Sequence, residues 1–107
     1  MPKMAPPEPV KLLMSWDIAP NQNQEYFEFV VRVFIPAVQN MGFELEEAWA
    51  TAYGDRPQIQ VGAVMPDIEQ IMRVLRSPEW KELHEQLLTF VVDYQQKIVT
   101  NRSRFQF

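Results

Sequence analysis

The chain has 107 residues and carries 10 Lys and Arg against 14 Asp and Glu, a net charge of −4. It has no cysteine and one histidine, which excludes a disulfide framework, a thiolate metal site, a cysteine nucleophile and any site built on two histidines. An apolar share of 47% with 22% charged residues is the composition of a soluble globular domain, and the acidic balance argues against a nucleic-acid or anionic-membrane surface.

Residues 1–10 hold four prolines and read as a loose tail ahead of a single domain over 11–107. The tail lacks the apolar run of a signal peptide, and no stretch reaches the 18 or so apolar residues of a membrane span. The expected compartment is the cytoplasm. Residues 11–18 alternate, with Leu12, Met14, Trp16 and Ile18 on one side, and predict a first strand. Residues 23–41 repeat apolar side chains at helical spacing: Tyr26, Val30, Val33, Phe34, Ala37, Met41. Asn21 or Asn23 is the expected N-cap. Phe27, Phe29 and Val31 widen the apolar arc of this helix, so it needs cover on more than one side. Pro36 should kink or split it near Arg32, and Gly42 fits the position just past its end.

Residues 43–53 predict a second strand. Phe43, Leu45, Glu47, Trp49 and Tyr53 share one face; Glu44, Glu46, Ala48, Ala50 and Ala52 share the other. Gly54–Pro57 makes a turn into a third strand, 58–65. A helix beginning at Pro66-Asp67 stops at Arg76 and restarts at Ser77-Pro78, with Ser77 as N-cap and Pro78 in the first turn. Its periodicity extends to about Ile98 through Trp80, Leu83, Leu87, Phe90, Val91 and Tyr94. A fourth strand is expected over 100–107, with Phe105 and Phe107 on one face and Arg102 and Arg104 on the other.

The order strand-helix-strand-strand-helix-strand, with right-handed crossovers, gives one compact α+β answer. It is a ferredoxin-like four-stranded antiparallel sheet, order 4-1-3-2, with both helices on one face. The uncovered face combines small residues at its middle with Glu44 and Glu46 on one edge and Arg102 and Arg104 on the other. Those edges can pair across a two-fold axis, which predicts a homodimer; the alternative is a pair of solvated, charged edges that discourage aggregation.

Together with the stretch YFEFVVRVFIP (26–36) and SPEWKEL (77–83), this order resembles the dimeric α/β-barrel superfamily, including NIPSNAP, EthD and antibiotic-biosynthesis-monooxygenase-like proteins. The resemblance covers residues 11–107. It implies two sheets stacked into a barrel by a homodimer, and activities that range from cofactor-free monooxygenases and isomerases to members without known catalysis. Where the EthD pattern has a histidine two residues before the proline, this chain has Phe34.

Two groups are candidates for proton transfer. His84 lies on the apolar arc of the second helix beside Trp80, as a general base near neutral pH or as a flank histidine. Glu47 is the only charge on its strand face, as a carboxylate of raised pKa or one leaning out to water. Trp16, Trp49, Tyr53 and Trp80 can wall a mainly apolar small-molecule pocket between sheet and second helix, or simply form core. No metal site and no cofactor are expected. The function reads as a homodimer binding a small apolar or aromatic molecule, with or without catalysis; the alternative is a non-catalytic structural or regulatory dimer with a filled core.

Overall fold

The computed structural model describes residues 9–50 and 59–100. Strand β1, Val10–Ile18, follows the alternation of its sequence: Val10, Leu12, Met14 and Trp16 are buried, and Lys11, Leu13 and Ser15 between them are partly exposed. It pairs antiparallel with β3, Ile59–Met65, on one side and with β4, Val91–Thr100, on the other. Strand β2, Glu44–Ala50, pairs outside β3. The resulting order, β2-β3-β1-β4, is the one expected from the sequence.

Helical segments α1 (Asn23–Phe29) and α2 (Ile35–Asn40) are joined without a break by a π turn, Val30–Phe34. The turn answers the geometry of Pro36. Its ring would press on the carbonyl four residues back, that of Arg32. Here the Ile35 N–H bonds to the Val30 carbonyl, five residues back, and the wider turn carries the helix past the proline. Neither Asn21 nor Asn23 caps α1. The cap position is Gln22, without a side-chain bond, and Asn21 instead takes a positive φ of 63° in the preceding turn, a conformation asparagine tolerates better than most residues. Phe27 and Val31 remain 52% and 64% exposed, so this edge of the apolar arc is uncovered, while Phe29 is buried.

Gly42 ends α2 at φ 104°. A Cβ there would sit 3.3 Å from the Met65 Cε. Gly42→Ala should therefore cost about 1–2 kcal/mol, mostly backbone strain, seen as a lower urea midpoint with an unchanged slope.

A bulge in β2 corrects the sequence reading. In β2 the register shifts between Leu45, opposite Ala63, and Glu47, opposite Gly62. Glu47 and Trp49 then pair with Gly62 and Gln60, while Ala48 and Ala50 pair with Val61 and Ile59. Val61 and Ile59 are themselves opposite the buried Met14 and Trp16. The continuous alternation that put Glu47 and Trp49 on the helix-covered face, and an alanine stripe on the open one, therefore does not hold. Glu46, the bulged residue, makes a 3.2 Å ion pair with Lys11 of the same chain.

The second half departs more. Asp67 caps α3, Ile68–Leu75, by accepting from the Gln70 N–H at 2.9 Å. Ser77 caps α4, Pro78–Leu88, by accepting from the Trp80 N–H, so the stop and restart fall where the sequence puts them. But α4 ends at Leu88, and 91–100 is β4 rather than helix. The expected strand over 100–107, with Arg102, Arg104, Phe105 and Phe107, lies outside the described residues apart from Thr100, the last residue of β4. So do Tyr53, Ala52 and the Gly54–Pro57 turn.

The core lies between the sheet and the helices. Leu12, Trp16, Phe34, Val38, Ile71 and Leu87 are at most 2% exposed. Among the described residues no helix is long and apolar enough to cross a membrane.

Candidate functional site

Ser77 and Pro78 start α4 so that Trp80 and His84, one turn apart, share the helix face over β4. Their rings stack with centroids 5.7 Å apart and planes 9° from parallel. Tyr94 of β4 meets the same imidazole edge-on, with centroids 4.5 Å apart. On its other side Tyr94 stacks on Trp16 of β1, at 5.9 Å and 10°. Trp16 in turn meets Phe34 of the π turn edge-on at 5.9 Å. The aromatic residues thus form one unbroken line from α4 across β4 and β1 to the first helix.

The polar atoms of this line are treated unequally. The Trp16 Nε1–H donates to the Tyr26 hydroxyl at 2.9 Å. The Tyr94 hydroxyl donates to the Gln96 Oε1 at 2.7 Å. His84 Nε2 is buried with no hydrogen-bond partner among the described residues. Burial pushes the His84 pKa below the ordinary imidazole value, and the neighbouring Glu85 carboxylate partly opposes it. Burial pushes the Tyr94 and Tyr26 hydroxyls up, for Tyr26 against the bond from Trp16. At neutral pH the group is a neutral imidazole beside un-ionised phenols. Such an imidazole can accept a proton at one nitrogen or donate from the other.

Of the residues proposed from sequence, the fold brings Trp16, Trp80 and His84 into one cluster through Tyr94. The backbone places Glu47 and Trp49 elsewhere in the sheet. They belong to β2, three strand spacings from β4, or about 14 Å at ~4.8 Å per strand. Tyr53 lies outside the described residues. The residue that sequence reasoning misplaced is Tyr94, put on a helix that ends before it. The signal was present in the β-branched pairs around it, Val91-Val92 and Ile98-Val99. Phe34, at the position of the EthD histidine, is 2% exposed and packs on Trp16, a core role.

No family model matches the chain, and no curated protein matches it. Solved structures do. A NIPSNAP-like domain protein from Burkholderia xenovorans superimposes with a TM-score of 0.68 at 22% identity, over 91% of this chain and 88% of that one. A dimeric protein of unknown function and ferredoxin-like fold from Bacteroides fragilis gives 0.62 at 12%, over 90% and 99%. SnoaB, a cofactor-independent oxygenase from Streptomyces nogalater, gives 0.64 at 15%, over 94% and 99%. At these identities the likeness is one of fold. The chain has a ferredoxin-like α+β fold shared with these NIPSNAP-like, dimeric and oxygenase structures, as the sequence resemblance implied.

Proposed function

We propose that this protein is a homodimer in which each subunit binds a small, mainly apolar or aromatic molecule against the α4–β4 cluster. His84 acts there as general base in cofactor-free chemistry of the monooxygenase or isomerase kind. The observation that carries this reading is the His84 Nε2, a buried polar atom without a partner among the described residues. A native core rarely leaves such an atom unsatisfied without a use for it. The fold shared with an oxygenase that needs no cofactor is in keeping with it. Trp80 and Tyr94 supply flat apolar walls, and the neutral imidazole supplies one proton acceptor. The expected compartment remains the cytoplasm.

The competing reading is a non-catalytic dimer whose interior is filled by its own aromatics. The unbroken contacts from Trp80 to Phe34 favour it. One titration separates the two. With 1-naphthol as probe, tryptophan fluorescence should quench saturably in the parent and not in a folded His84→Ala variant. Equal quenching in both, or none in either, returns His84 to the core.

The dimer rests on the open sheet face and the uncovered helix. Leu13, Val64 and Val99 are only partly exposed on the former, and Phe27 and Val31 are exposed on the latter. A neighbour of the same fold is dimeric. Sedimentation at micromolar concentration should give about twice 12.6 kDa. A stable interface should bury more than roughly 1,000 Å², and a clean monomer would remove the assembly from the reading.

A further inference from the structure

The placement of Tyr94 depends on a local irregularity in β4. Ser15 of β1 pairs with Gln95, and Asp17 pairs with Val92. One residue of β1, Trp16, therefore faces two of β4, Asp93 and Tyr94. Asp93 takes a positive φ of 57°, the left-handed backbone that begins one type of β-bulge. Without the extra residue, strict alternation would put Tyr94 on the face opposite to Val91. With it, Val91 and Tyr94 both lie on the helix-covered side: Val91 is 4% exposed and Tyr94 meets His84 and Trp16. Bulges that re-aim a side chain are over-represented beside functional sites, and left-handed backbone at a residue other than glycine persists only where its surroundings enforce it.

The contact is made by the ring and not by the hydroxyl. The Tyr94 O–H is directed to Gln96, and His84 Nε2 takes no bond from it. Trp80 covers one face of the imidazole, and Tyr94 meets it from the strand side. The charged group acting on His84 is Glu85 of its own helix; from β4 the titratable group that meets it is Tyr94.

We propose that Tyr94 is a positioning residue for His84: turned inward by the Asp93 bulge, its ring clamps the imidazole against Trp80 and keeps Nε2 away from water and available to a ligand. This rests on the reading of His84 as the working base of the site. It adds that an aromatic ring at position 94 is required and that its hydroxyl is dispensable.

Because the chain has one histidine, its imidazole gives a single resolvable set of NMR signals. In the parent, nuclear Overhauser contacts between the imidazole and the Tyr94 ring should be present, and the imidazole should titrate below about 6.5. Tyr94→Phe should preserve the titration midpoint and the ring-current shifts. Tyr94→Leu should move the midpoint upward toward the ordinary value and erase the shift contributed by Tyr94. An absent contact in the parent overturns the proposal, and that measurement needs no variant to fold. So does a folded Tyr94→Leu protein with an unchanged titration, or a Tyr94→Phe protein that titrates like Tyr94→Leu. Binding of 1-naphthol by the parent and Tyr94→Phe is measured in the same samples. If the imidazole depends on the ring as stated but naphthol binds neither protein, the clamp stands and the ligand reading falls.

Discussion

Trp16→Ala should lower the free energy of unfolding by about 3–5 kcal/mol, measured by urea denaturation at constant slope. Trp16 is 1% exposed on β1, an inner strand, and touches both the first helix and β4. Its indole stacks on Tyr94, meets Phe34 edge-on and donates to the Tyr26 hydroxyl. Removing it opens a cavity at the join of β1, β4 and the first helix, and leaves a buried hydroxyl without its donor. A domain of this size has only about 5–15 kcal/mol in all, so a large unfolded fraction is expected even at modest urea. Trp16→Phe, which keeps a ring and loses the N–H, should cost distinctly less. A Trp16→Ala protein that loses under about 1 kcal/mol would mean that the aromatic line is not the core of the fold.

The same line shows what the sequence makes legible. β1 announces itself because its alternation is unbroken from Val10 to Trp16. The stop at Arg76 and restart at Ser77-Pro78 are equally plain, since capping chemistry is local. The strand order follows from the element order, because handedness leaves few other routes for the chain. β4 is hidden by its own bulge. Val91, Tyr94 and Ile98 are spaced three and four apart, the spacing of a helix face. In a strand that spacing arises when one extra residue, Asp93, interrupts the period of two. A reader of periodicity continues α4 through them. The β2 bulge misleads in the same way, by reversing the faces after Glu46. Bulges are set by pairing with a neighbouring strand, and single-strand alternation carries no record of them. Three of the four cluster residues were therefore visible: His84, Trp80 and Trp16 lie on elements whose pattern is regular. Tyr94, which joins them, lies just beyond an irregularity.

His84→Leu should raise stability at pH 7.5 by about 1 kcal/mol while abolishing 1-naphthol binding. The parent buries Nε2 without a partner among the described residues, and an unsatisfied buried polar group costs about 1–3 kcal/mol. His84 as a whole is only half-buried, which sets the expectation at the lower end. Leucine fills similar space on the apolar face between Trp80 and Leu87 and suits a helix somewhat better. The gain should grow on acidification, and the sign follows from linkage. Burial holds the folded-state pKa of His84 below its unfolded value of about 6.5. The unfolded chain therefore binds the proton first. The parent keeps its full contribution above about pH 6.5 and loses stability as the pH falls through that value to the folded-state pKa. The leucine variant has no such group, so its unfolding free energy should stay flat over that window, until the carboxylates titrate. A residue that lowers stability and is still needed for binding is what a working site predicts. The opposite outcome is equally informative. If His84→Leu is less stable than the parent at pH 7.5, the imidazole contributes to packing through contacts that leucine cannot replace, and its place in α4 is structural.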